Sequence, residues 1–236
     1  MSINKTLIFI ILLVIIVVTL GYKYGDSYLP MVYHKKNALR VACVGDSITY
    51  GARIKGRKLN SYPMQLQRLL GKNYYVENFG ASGHTLMSSG DKPYISNKSF
   101  HSSQEFNPDI VVIMLGTNDA KGINWTSIDE YIKDYKELIS YYKTLTSKPQ
   151  IYIMTPPKAF PLKDETMIKF DIRNEAIEEM TSAIRQLSEA EGIGLIDLNS
   201  TISHHPEFFT FDGVHPDAKG ASHIAQTVFK SLRAEK

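Results

Sequence analysis

The chain has 236 residues, 43% of them hydrophobic and 22% charged, the composition of a globular domain long enough to bury a sizeable core. A formal net charge of +3, with no long basic run and no basic patch interleaved with aromatics, argues against nucleic acid as a partner. Cys43 is the single cysteine, so disulfides within the chain are excluded, and no Cys-x-x-Cys or Cys-His spacing marks a zinc site.

In chain order, the first feature is the apolar run LIFIILLVIIVVTL from Leu7 to Leu20, with Thr19 as its only polar member and Lys5 ahead of it. It fits a secretory signal with the small residues Thr19 and Gly21 near a cleavage point, or an uncleaved anchor with Tyr22 and Tyr24 at the membrane interface. Residues 1–24 are therefore expected to be a signal peptide or membrane anchor, 25–37 a linker and 38–236 the folded domain. The domain is expected outside the cytoplasm: periplasmic, secreted or held at a membrane through residues 7–20.

Leu39 to Val44 is a continuous apolar run suited to a buried parallel strand, in which Cys43 reads as a small apolar residue. A helix follows over Ser61 to Leu70, with Ser61 as cap, Pro63 in its first turn and Gly71 as its stop. Tyr74 to Phe79 and Ile110 to Leu115 are the second and third strands, and the stretch from Ala81 to Asn107 between them reads as a long loop bordering a site. Ser127 and Glu130 form a capping box for a helix whose apolar stripe includes Tyr131, Tyr135, Leu138 and Tyr142, tyrosines assigned to packing. Ile151 to Met154 is strand four, ended by Pro156 and Pro157. A helix over Asn174 to Glu191 stops at Gly192, Gly194 to Asp197 is strand five, and Asp217 to Leu232 is the last helix. Alternating strands and helices without a repeat predict a three-layer α/β fold, a flavodoxin-like doubly wound parallel sheet of five strands in the order 2-1-3-4-5.

That topology has a chemical consequence. Ser47 follows strand one, Gly80 strand two, Asn118 strand three, and Asp212 with His215 lie beyond strand five, so a parallel sheet brings them to one edge. A serine hydroxyl needs a base within hydrogen-bond reach, and His215 can take its proton while Asp212, three residues earlier, orients the imidazole. The Ser47 and Gly80 backbone N–H groups and the Asn118 amide can face the negative charge that develops on an attacked carbonyl oxygen. Such chemistry needs neither cofactor nor metal. Rival motifs are poorer: Gly51 to Gly56 has phosphate-loop glycine spacing, but Arg57 and Lys58 stand where Lys and Ser/Thr are required. Asp119, beside Asn118, reads as the cap of the following turn.

GDSIT at 45–49, the glycine of NFGASG at 78–83, GTND at 116–119 and DGVHP at 212–216 resemble, in order, the four blocks of the SGNH (GDSL-type) hydrolase superfamily. The resemblance implies a serine esterase with Ser47, Gly80, Asn118 and His215 as the namesake residues and Asp212 as the triad acid. NSYPMQLQRLLG at 60–71 and HPDAKGASHIA at 215–225 are similar to the carbohydrate-directed branch, with sialate O-acetylesterase-like and acetylxylan esterase-like proteins. A glycan or small-molecule ester, most simply an acetyl ester, is the substrate so implied; a membrane-associated O-acyltransferase and a lysophospholipase or short-chain lipid esterase are the alternatives. Arg53, Lys55, Arg57 and Lys58 follow the nucleophile, and Arg53 is the candidate contact for an acidic sugar.

Overall fold

The computed structural model describes residues 34–162 and 167–234. The apolar run at 7–20, and most of the expected linker, lie outside the described residues. Among the described residues no helix is long and apolar enough to cross a membrane.

Five strands form one sheet: β1 (Leu39–Gly45), β2 (Tyr74–Gly80), β3 (Ile110–Met114), β4 (Gln150–Met154) and β5 (Gly194–Ile196). Their order is β2-β1-β3-β4-β5 and every neighbouring pair is parallel. This is the expected arrangement, and it follows from strands apolar on both faces, which need helices above and below. Between them run α1 (Ser47–Tyr50), α2 (Arg57–Asn60), α3 (Tyr62–Leu70), α4 (Lys98–Glu105), α5 (Ile128–Lys143), α6 (Asn174–Glu191), α7 (Leu198–Ile202) and α8 (Ala218–Ala234).

Side chains alternate across the sheet and so divide the core in two. Ala42, Val44, Val111 and Ile113 pack with α5 and α6, whereas Val41, Cys43, Val112 and Met114 pack with α3 and α8. The tyrosine stripe of α5 is buried as expected, and each hydroxyl has a partner: Tyr131 donates to the Leu115 carbonyl at 2.9 Å, Tyr135 to the Ile113 carbonyl at 3.3 Å, and Tyr142 lies 2.6 Å from the Ser103 hydroxyl. A buried phenol must have such a partner.

Three local expectations change. The stretch over 81–107 contains α4, whose cap Asn97 accepts from the Ser99 N–H at 2.8 Å but which buries only Phe100 and Ser103, too little apolar periodicity to be seen in sequence. Ser61 stands at the N-cap of α3, yet its hydroxyl makes no capping bond there. Strand five ends at Ile196, and Asp197 is occupied in pairing with Arg185 at 2.9 Å.

Candidate active site

The carboxyl ends of β1 and β3 face a cavity of about 330 Å³, lined among others by Ser47, Gly83, Asn118, Phe170 and His215. Ser47 reaches it because β1 passes straight into α1. Asp46 caps that short helix by accepting from the Ile48 N–H at 2.8 Å, and Gly51, at φ 85°, closes it with its N–H directed at the Ser47 and Ile48 carbonyls. A Cβ on Gly51 would stand 2.7 Å from that of Ser61, so the turn needs glycine both for conformation and for room.

His215 comes from the loop before α8. Gly213 sits at φ 69°, and a Cβ there would lie 2.1 Å from the Phe160 carbonyl oxygen. That tight turn lets the Asp212 Oδ1 accept from the Thr210 hydroxyl and the Val214 and His215 N–H groups, each at 3.0 Å. The other carboxylate oxygen, Oδ2, meets His215 Nδ1 at 2.8 Å, and His215 Nε2 meets Ser47 Oγ at 3.0 Å. The three residues expected from the sequence are therefore one hydrogen-bonded line, across 168 positions of chain between Ser47 and His215.

Asp212 is wholly shielded from solvent. Burial pushes its carboxyl up, but the His215 backbone N–H, the His215 imidazole and the Val214 N–H together outweigh it and hold the group down at about 2. It is ionised at any neutral pH, as an orienting carboxylate must be. Asp46, also buried, is driven the other way, up to about 6, by burial that the Ile48 N–H and the nearby His215 offset only in part.

The groups able to face a developing oxyanion differ from expectation at one position. Ser47 begins α1 with its N–H in none of the backbone hydrogen bonds among the described residues, and Asn118 Nδ2 lies at the cavity, donating to the His84 carbonyl at 3.0 Å. Gly80 does not serve. Its N–H is taken by Asn78 Oδ1 at 2.9 Å, and it is the sheet partner of Gly45 with the Tyr50 backbone 2.1 Å from where a Cβ would be. Gly83, three residues on and at φ 82°, lines the cavity instead, its N–H free of backbone bonds among the described residues. The sequence held the signal, a second glycine in NFGASG, but only the register of β2 shows that the first one is still inside the sheet.

Asp119 also has a different duty. Rather than capping the next turn, its two oxygens accept from the Leu86 N–H at 2.9 Å and the Met87 N–H at 2.7 Å, tying down the loop that carries Gly83. Asn124 strengthens the same tie, donating to the Asn118 carbonyl at 2.8 Å and to Asp91 at 3.0 Å. Phe170 was not foreseen at all. It sits at φ 64°, in a left-handed conformation unusual for a phenylalanine, with its ring 6.1 Å from that of His215, and it lies in a stretch without periodicity.

Arg53 also departs from expectation. It lines the cavity, but its Nε pairs with Asp212 Oδ2 rather than being held free for a substrate, and its guanidinium lies 4.9 Å from the centre of the Phe211 ring. Arg57 is likewise occupied, stacked 3.8 Å over Tyr50. Of the four basic residues that follow the nucleophile, Arg53 and Arg57 are thus turned to partners within the fold.

Residues 43–222 match the sequence profile of the GDSL-like lipase/acylhydrolase family. An acetylxylan esterase of Xylanibacter ruminicola is 32% identical over 217 residues, which cover 84% of this chain and 44% of the relative; the chain thus spans less than half the length of the curated relative it matches. Two solved structures share the fold. Est24, a carbohydrate acetylesterase from Sinorhizobium meliloti, superimposes with a TM-score of 0.69 at 20% identity, covering 84% of this chain and all of that one (100%). The M. smegmatis aryl esterase gives 0.70 at 19% identity over 84% and 99% of the two chains.

Proposed function

Because the chain belongs to the GDSL-like lipase/acylhydrolase family, we propose that it is a serine esterase that removes acetyl groups from carbohydrate esters. The observation that carries this is the unbroken line from Ser47 Oγ through His215 to Asp212, at 3.0 and 2.8 Å, opening on the cavity. At about 330 Å³ the cavity is near the lower end of the range for ligand sites, about 300–1,000 Å³, which suits a short acyl group. The name of the 32%-identical relative supports acetylated xylan as the first substrate to try.

In this mechanism His215 Nε2 accepts the Ser47 proton as Oγ attacks the ester carbonyl carbon. The carbonyl π pair moves to oxygen, and the Ser47 and Gly83 N–H groups with Asn118 Nδ2 face the resulting charge. His215 then gives its proton to the departing sugar oxygen, leaving acetyl-Ser47. Water, deprotonated by the same imidazole, attacks this ester, and collapse returns the serine and releases acetate. Asp212 stays ionised throughout and keeps the Nδ1–H in place, so that Nε2 is the atom that exchanges the proton.

The test is acetate release from acetylated xylo-oligosaccharides beside a panel of other acetylated sugars. Release from none of them, with the protein folded, would overturn the proposal. Asn118→Ala is expected to lower kcat by a factor on the order of 10² and KM much less, since its amide acts on charge that develops only in the transition state. Steady-state kinetics on one soluble ester check this, and an effect confined to KM would make Asn118 a substrate-binding group.

We also propose that residues 1–24 direct export and that 38–236 is the catalytic domain acting outside the cytoplasm. The apolar run at 7–20 supports this. Cells expressing the chain with and without residues 1–24 should differ in where the esterase is found, and an unchanged distribution would refute it.

A further inference from the structure

Arg53 has no part in the proton transfers described above, yet it touches an atom that governs them. Its backbone sits at φ 63°, which is costly for a residue with a Cβ and is maintained only when surrounding contacts demand it. Asp212 Oδ1 is already saturated by three donors. Oδ2 is shared by His215 Nδ1 and the Arg53 guanidinium, so a fixed positive charge lies one carboxylate oxygen from the imidazole.

We propose that Arg53 is a positioning residue for the triad: it fixes the Asp212 carboxylate and lowers the affinity of the His215 imidazole for a proton. Two effects act in the same direction. A nearby cation disfavours the imidazolium by direct repulsion, and an oxygen shared with guanidinium stabilises the imidazolium less than one devoted to it. The inference rests on the proposed role of His215 as the base.

Other charged groups face this centre. Asp46, at the end of β1, favours the imidazolium; Lys121, beyond β3, lines the same cavity. Lys169 lies 5.6 Å from the centre of the Phe170 ring, and Asp171 is engaged by Gly122 and Arg173. Asp217 lines an adjoining cleft with Arg53 and accepts from the Lys219 and Gly220 N–H groups. Among the described residues, Arg53 alone shares a hydrogen-bonded atom with the imidazole.

The test is an NMR titration of the His215 imidazole in the full chain, with its signal assigned by its loss in His215→Gln. In Arg53→Gln the midpoint should rise by about 0.5–1 pH unit, and in Arg53→Lys, which keeps the charge, it should stay near the parent value. The acid limb of kcat/KM for 4-nitrophenyl acetate should move by the same amount, a three- to tenfold loss below the limb and a smaller change above it. Arg53→Gly suits the left-handed backbone and takes the place of Arg53→Gln if that variant does not fold. A midpoint that stays put or falls when the charge is removed would overturn the proposal, as would a change in KM alone with the limb unmoved. Absence of ester turnover in the parent chain would instead refute the esterase assignment, and the midpoint would still decide the role of Arg53.

Discussion

Ser47→Ala is expected to abolish ester hydrolysis, with kcat falling by a factor on the order of 10⁶, because among the described residues no other group at the cavity combines a hydroxyl with a base at 3.0 Å. The triad acts as a unit, so loss of the nucleophile costs nearly as much as loss of the whole line. Stability should hardly change. The Ser47 hydroxyl bonds to His215 Nε2 and to nothing else among the described residues, and a single such bond is worth about 1 kcal/mol. Acetate release and thermal unfolding measured on the same preparation check both halves. Turnover persisting in Ser47→Ala free of parent enzyme would remove Ser47 from the chemistry.

The second large effect is expected from Asp212→Asn, which should lower kcat by a factor on the order of 10⁴. An amide facing His215 no longer requires a proton on Nδ1, so the ring can present the wrong nitrogen to Ser47. Here stability changes as well. The Asp212 carboxyl lies at about 2 in the folded protein against an ordinary value of 3.8, a depression that corresponds to about 2 kcal/mol of stability above pH 3.8. With a depressed folded value, that contribution is present at neutral pH and is lost as pH falls from 3.8 through 2. The difference in unfolding free energy between parent and variant should therefore be widest near neutral pH and close in strong acid. A constant difference over that range would show that the loss comes from packing rather than from charge.

Much of this was readable in the residues themselves. The apolar runs at 39–44, 110–115 and 151–154 read as buried strands, and with the segments at 74–79 and 194–197 they make five strands whose alternation with amphipathic helices leaves little choice but a doubly wound sheet. Once the sheet is parallel, Ser47, Asn118, Asp212 and His215 converge for reasons of chain geometry, and they do lie together. The family signature blocks were equally plain, since short runs such as GDSIT and DGVHP encode turns whose conformations are local.

What the sequence alone did not determine were the contacts made between distant segments. Whether Gly80 or Gly83 has its N–H free beside the cavity depends on how far β2 stays paired with β1, and pairing is a property of two strands. Asp119 reaches the Leu86–Met87 backbone rather than its own turn because the fold lays that loop across the end of β3. Arg53 looked like a free cation on a basic loop, and it became a partner of Asp212 only when residues 159 positions apart were brought into one corner of the cavity. Local sequence fixes backbone preference and burial; a long charged side chain chooses its partner by Coulomb attraction among whatever groups the tertiary structure brings within reach.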